Sequence, residues 1–290
     1  MSLVRSLARS VVSSMPSSVL GPPAGTTDLV MTVAIASDGD SFELATVSGG
    51  FNAVVNWGDG NSDLITASDD ADLTHTYATA GTYTIAVSGT FPRLRMSNSS
   101  TRSALRTVEN LGVVGWTDEG LRSAFQNCDG LTTFTAGNTD TSSVEVFQGM
   151  FQNCSSLTSV DARGMDTSSA TNMSIMFKQT SSLSTADVSQ FDTSSVTNFA
   201  QMFRTTGATD VRCDLFDISA ATNLQNFFGN GSLTTARYDA VLIAWAAQTV
   251  NSGLTVNFGN SKFTAGGRGE AARTCLINDD GWTISDGGAA

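Results

Sequence analysis

The sequence predicts a mainly β chain: a small β-sandwich, then a solenoid of short repeats carrying short helices, then a C-terminal cap. Three observations predict it. Residues 27–91 hold short alternating apolar runs separated by turn clusters. One phenylalanine recurs at Phe125, Phe151, Phe177, Phe203 and Phe228, at intervals of about 26 residues. Past residue 237 the repeat stops, and helical and strand-like patterns alternate to the end. The expected divisions are 1–26, a docking helix and linker; 27–91, the sandwich; 92–237, the solenoid; and 238–290, the cap.

Composition narrows the function classes. Of 290 residues, 40% are hydrophobic and only 14% charged, so Ser, Thr, Asn and Gly must make much of the surface. The net charge of −12 repels phosphate backbones and argues against nucleic-acid binding. No run of 18 apolar residues is present, so no membrane insertion is expected. One histidine, His75, and four cysteines without C-x-x-C spacing argue against histidine-rich or cysteine-rich zinc sites. No metal or other cofactor is expected. Acids crowd residues 27–90, which lack Lys and Arg, and Arg93, Arg95, Arg102 and Arg106 follow at once. Such a charge step suggests a module boundary.

At the N-terminus, Leu3, Val4, Leu7, Val11 and Met15 fall on a helical period broken by Arg5 and Arg9. The expected element is a short amphipathic helix that docks the protein onto a larger assembly. A poor signal peptide and an unstructured tail are the other readings. Pro16, Gly21, Pro22, Pro23 and Gly25 then mark a linker.

The apolar runs of the next segment include Val33 and Ile35, Phe42–Leu44, Val54–Trp57, Leu64–Ile65 and Tyr83–Val87. Two strings stand out: Asn56-Trp57-Gly58-Asp59-Gly60, and His75-Thr76-Tyr77 followed by Gly81-Thr82-Tyr83 and Val87. Together they resemble the polycystic-kidney-disease (PKD) domain, an immunoglobulin-like sandwich. The resemblance implies a spacer or protein-contact module in which His75 and Tyr77 are structural. Asp69, Asp70 and Asp72 form an acid-rich loop, read either as a solvated face or as oxygen ligands for calcium.

Within the repeat, an L-x-x-φ-x-φ template follows each phenylalanine: Leu131/Phe134/Ala136, Leu157/Val160/Ala162, Leu183/Ala186/Val188, Ala208/Val211/Cys213 and Leu233/Ala236/Tyr238. Leu105/Val108 fits the same register further back, giving about six strands stacked in parallel. Met173, Met176 and Phe177 sit at helical spacing and predict a turn or two of helix behind each strand. An aspartate at Asp140, Asp166, Asp192 and Asp217 starts the turn before it. The units Phe191-Asp192-Thr193-Ser194-Ser195-Val196-Thr197-Asn198 and Met165-Asp166-Thr167-Ser168-Ser169-Ala170-Thr171-Asn172 resemble the BspA-like leucine-rich repeat of bacterial surface proteins. The resemblance covers about residues 105–240 and departs at Thr180 and Thr206, where the family cysteine is missing. Cys128 and Cys154 occupy equivalent places in adjacent coils, either as buried thiols or as a disulfide.

In the cap, Tyr238–Ala247 and Gly267–Ile277 predict helices, and Leu254/Val256/Phe258 and Trp282/Ile284 predict strands. The run from Asn260-Ser261-Lys262-Phe263 to Gly281-Trp282-Thr283-Ile284-Ser285-Asp286-Gly287 looks like the ending of such repeats in bacteriophage proteins.

Outward positions of the six strands form three ladders. Glu109, Thr135, Asp161, Asp187, Arg212 and Arg237 form one; a second includes Arg163, Ser189, Asp214 and Asp239; the third is mostly threonine. Asp161, Arg163, Asp187, Arg212 and Arg237 are the candidate ligand-binding residues. A solvated sheet with cross-strand ion pairs, Asp187–Arg212 among them, is the competing reading. No G-x-S-x-G, Walker or Rossmann string occurs, and a shallow sheet lacks the water-excluding pocket that carboxylate catalysis needs. The chain is therefore expected to be no enzyme. The expectation is a bacteriophage virion surface protein, a capsid decoration, head fibre or tail-fibre-like protein. It would dock on other virion proteins by its N-terminus and offer the solenoid to a host surface protein or glycan. A bacterial cell-surface adhesin is the alternative, disfavoured by the lack of a recognisable anchor.

Overall fold

The computed structural model describes residues 27–290. The docking positions Leu3, Val4, Leu7, Val11 and Met15 lie outside the described residues. Alternation at the start of that span becomes strand. β1 (Leu29–Ile35) points Leu29, Met31, Val33 and Ile35 into the core, the two-residue period of a pleated strand. β2 (Ser41–Glu43), β3 (Asn52–Asn56), β4 (Ser62–Ile65), β5 (Thr74–Thr76) and β6 (Gly81–Thr90) follow. β1, β6, β3 and β4 pair antiparallel in that order, and β2 pairs with β5 as a separate ribbon. Phe42, Trp57 and Tyr77 are fully buried in the core these strands share.

The two strings in this segment meet in space. His75 stacks on Trp57 with ring centroids 5.0 Å apart, and its edge meets Tyr77 at 4.7 Å. The Tyr77 hydroxyl donates to the Trp57 carbonyl at 3.1 Å, and His75 Nε2 lies 2.8 Å from Asp59 Oδ2. Asp59 also accepts from the backbone and side-chain N–H groups of Asn61. Burial raises the Asp59 carboxyl, but the contacts with His75 and Asn61 outweigh it and leave the group below its ordinary range. A depressed carboxylate stabilises the fold above its unfolded-state pKa, and the contribution is lost as pH falls through the folded-state value. Asp59→Asn is therefore expected to be less stable than wild type at pH 6, with the deficit shrinking as pH falls below about 4. A melting-temperature deficit as large at pH 3 as at pH 6, or no deficit at either pH, would contradict this.

The acid-rich loop behaves differently. Asp70 caps a single 3-10 turn over Ala71–Leu73, accepting from the backbone N–H of Asp72 and Thr66. Among the described residues, no three acidic, histidine or cysteine side chains converge as metal ligands.

From Leu105 onward the chain winds in stacked coils. β7 (Leu105–Asn110), β8 (Thr133–Thr135), β9 (Ser159–Asp161) and β10 (Thr185–Asp187) pair parallel in register. β7 also pairs antiparallel with β1, so one sheet of eight strands runs β10-β9-β8-β7-β1-β6-β3-β4. The charge step near residue 92 therefore falls within a continuous sheet and a continuous core.

The repeating phenylalanine forms the spine of this core. Phe125, Phe151, Phe177, Phe203 and Phe228 are fully buried and stack face to face, with centroids 5.8, 5.4, 5.2 and 5.2 Å apart. One ring per coil at nearly the spacing of adjacent strands lets each coil cover the apolar face of the last.

The Asp-Thr-Ser units have a division of labour. Asp140, Asp166, Asp192 and Asp217 each accept from the backbone N–H and hydroxyl of the residue two places on, closing the turn. Thr141, Thr167 and Thr193 are buried and donate to the carbonyls of Asp166, Asp192 and Asp217 in the following coil. Thr167→Val keeps the shape but leaves the Asp192 carbonyl short of a donor, so a loss of about 1–2 kcal/mol is expected. Chemical denaturation measures it; a change under about 0.3 kcal/mol would mean the ladder contributes nothing net.

Three sequence expectations need correction. The back segment of each coil is not helical. Met173, Ile175, Phe177 and Gln179 donate their N–H groups to the carbonyls of Asn198, Ala200, Met202 and Arg204 in the next coil. Left-handed residues recur there, at Ser123, Gly149, Ile175, Gln201 and Asn226 and again at Asn127, Asn153, Gln179, Thr205 and Asn230. Each one turns a peptide toward the neighbouring coil, which a right-handed helix cannot do. Second, the parallel ladder has four strands rather than six. Residues around Val211 enter a 3-10 turn over Cys213–Leu215. Third, Thr235–Tyr238 is helix. The Thr234 hydroxyl accepts the Arg237 N–H and caps α1 (Thr235–Ala246), leaving Ala236 exposed rather than inward.

The cap is then α1, β11 (Thr255–Asn257), α2 (Arg268–Asn278) and β12 (Thr283–Ser285), with β11 and β12 parallel. Trp245 donates to the Cys213 carbonyl, tying the cap to the last coil, and the Tyr238 hydroxyl donates to Asp286 within the cap. Cys128 and Cys154 are buried thiols; Cys154 donates to the Phe125 carbonyl at 3.0 Å, and burial pushes Cys128 up to about 12.

Candidate binding face of the coil sheet

β9 and β10 place Asp161 and Asp187 side by side, in register on the outer face. Arg163 follows β9 and folds back between them. Its Nε and Nη2 donate to the two oxygens of Asp161 at 2.9 and 2.7 Å, a bidentate fork. Nε also lies 3.4 Å from Asp187 Oδ2. Asp187 is held from behind by the N–H and hydroxyl of Ser189. Three of the five predicted residues thus form one cluster, two carboxylates around one guanidinium.

The other two lie outside the strand ladder. Arg212 pairs with Asp214 at 3.1 Å, not with Asp187 as expected. The reason is local: with the strand replaced by a 3-10 turn, Asp214 lies two residues along the same chain and is already in reach. Arg237 sits in the first turn of α1 and reaches Asp210 at 2.7 Å and Asp214 at 2.9 Å. Asp210 and Asp214 complete this second cluster and were not among the predicted binding residues. Their signal was the spacing Asp210-Val211-Arg212-Cys213-Asp214, which alternates charge with buried apolar positions. Asp239, assigned to an outward ladder, instead accepts from Thr264 at the turn before α2.

Burial varies among these charged groups. Arg163 is 61% and Arg212 46% exposed, whereas Arg237 is 18% and Asp214 13% exposed. The hydrogen bond from Arg163 holds the Asp161 carboxyl below its ordinary range, against a smaller opposing effect of burial. Asp161 is therefore an anion at neutral pH, the reverse of what a general acid requires. The half-buried Thr133 and Ser159 and the exposed Thr185 line the same face. What the face offers is fixed charge and hydroxyl groups in register: chemistry suited to a polar partner.

Comparison with known proteins meets the coils. Residues 119–240 match a known family. It is described as "Mycoplasma protein of unknown function, DUF285". The matched segment runs from just before Phe125 into α1, so it spans the phenylalanine spine, all three buried threonines and both charged clusters. The match agrees with a BspA-like surface protein, the resemblance seen in the Asp-Thr-Ser-Ser units. No curated protein and no solved structure matches the chain. Among the described residues, no helix is long and apolar enough to cross a membrane.

Proposed function

We propose that the protein is a non-catalytic surface protein that displays the β8–β10 face and the adjoining Arg237 cluster to a host protein or glycan. The observation that supports this best is the spine. Five stacked rings buried in a continuous core give a rigid scaffold, and that scaffold holds outward charges in register. On this reading the coils are of the leucine-rich-repeat type and the first module is of the PKD type, a spacer in which His75 and Tyr77 are structural, in keeping with the Trp57–His75–Tyr77 cluster.

The particle it belongs to is, on our reading, a bacteriophage virion, as capsid decoration, head fibre or tail-fibre-like protein. Residues 1–20 would dock on other virion proteins, and the C-terminal run from Asn260 to Gly287 fits the same origin. The test is mass spectrometry of purified particles, followed by deletion of residues 1–20. The truncated protein is expected to melt as the full chain does but to be missing from particles; retained incorporation overturns the docking role. A second reading, a bacterial cell-surface adhesin, is favoured by the match to a Mycoplasma family. Recovery of the chain from the bacterial surface, and its absence from particles, would select it.

A further inference from the structure

Arg95 lies on the seam where the first module meets the coils, away from the sheet face. The backbone fixes its place. Leu94 N–H donates to Gly120 O at 3.1 Å and Met96 N–H to Ala124 O at 2.8 Å, so Arg95 runs beside Arg122. Its own N–H donates to Ala45 O at 2.9 Å, which brings the first module against it. Nearby guanidinium groups already have partners. Arg93 pairs with Asp118 at 3.2 Å and donates to the Thr117 hydroxyl; Arg122 pairs with Glu119 at 2.9 Å. Arg95 has none: its Nε is buried without a hydrogen-bond partner, and among the described residues no carboxylate forms an ion pair with it.

A half-buried guanidinium is an unfavourable thing to leave unpaired. Burial weakens its hold on the proton, and the like charges of Arg122 and Arg93 add to that, with Glu119 opposing. In a chain of net charge −12, three arginines gathered at one seam need a reason other than average composition. Asp118 and Glu119 balance Arg93 and Arg122, so one positive charge is left over.

We propose that Arg95 is an anion-binding residue that takes a carboxylate from solution at this seam, with Arg122 as the neighbouring donor. One surplus charge matches a monoanion, and the planar guanidinium fork matches the two oxygens of a carboxylate better than a point charge would. Occupancy would fasten the first module to the coils, because the backbone of Arg95 already touches both.

The test uses the full chain in carboxylate-free buffer, with acetate as the probe and chloride at equal ionic strength as the reference. A saturable shift of the Arg95 Nε–Hε resonance is expected with acetate and not with chloride. At ten times the measured Kd, the melting temperature is expected to rise by about 2 °C. Both responses should vanish in Arg95→Gln, which removes an unpaired cation and so does not threaten folding, and persist in Arg204→Gln. Equal responses to chloride and acetate, or an undiminished temperature shift in Arg95→Gln, overturn the site. A stronger response to phosphate than to acetate overturns the carboxylate assignment.

Discussion

Phe177→Ala is expected to cost about 3–5 kcal/mol, the largest effect of any single core truncation in the coils. The ring is fully buried and stacked on both sides, 5.4 Å from Phe151 and 5.2 Å from Phe203. Removing it takes away buried apolar area and leaves a cavity in the middle of the stack. Neither neighbour can collapse into that cavity, because each is held at its own coil by backbone bonds on both sides. A fall in melting temperature of roughly 6–10 °C should result. Phe177→Leu fills most of the space and should lose about half as much. Lys178→Ala, on the next residue but half-buried at the surface, should change stability by less than about 0.5 kcal/mol. A Phe177→Ala protein that melts with the wild type would remove the spine from the account.

Gly112→Ala should be nearly as damaging, for a different reason. Gly112 sits just beyond β7, with a left-handed φ of 72°. A Cβ there would lie 2.4 Å from the Asp28 carbonyl carbon and from Leu29 N. Those are backbone atoms at the head of β1, and they cannot move aside. Asn110 donates to Asp28 O at 2.7 Å, and Val113 N–H to Thr27 O at 2.6 Å, so the chain is laced to β1 on either side of the glycine. Strain from the left-handed backbone adds about 1–2 kcal/mol to the clash, for a total of about 3 kcal/mol or more. Because β1 joins the first module to the coils, the effect should reach both. Hydrogen exchange should show faster opening of β1 and β7 together. Exchange that quickens in only one of the two would mean that the shared sheet does not couple them.

Much of this architecture was legible because it is periodic. Alternation in Leu29–Ile35 and the recurrence of Phe125, Phe151 and Phe177 are local patterns with one physical reading each. The back segment was misread because the pattern there has two readings. Met173, Met176 and Phe177 point inward on a helical turn, and they also point inward on a chain that alternates right- and left-handed residues. What separates the two is where the N–H groups go, and their acceptors are about 25 residues away in the next coil.

The candidate face was half legible for a related reason. Counting outward positions worked through β10, where Asp161 and Asp187 do stand side by side. It failed at Arg212 and Arg237 because the strand register ends before them. Thr234 carried a visible capping signal, a hydroxyl ahead of a helical run, and the repeat template masked it. Pairing changed accordingly: Arg212 and Arg237 share Asp214 within their own cluster rather than extending the ladder.

The measurement that tests the central claim most directly is attachment of the purified protein to host cells, comparing wild type with Arg163→Ala/Arg212→Ala. Arg163 is largely exposed, Arg212 is half exposed, and Asp214 keeps Arg237 as a partner when Arg212 is removed, so the melting temperature should stay within about 2 °C of wild type. If the face binds a polar partner, attachment should weaken by about tenfold or more, the equivalent of one lost charged contact. Unchanged attachment with unchanged stability would contradict the account and leave the charged clusters as solvated ion pairs.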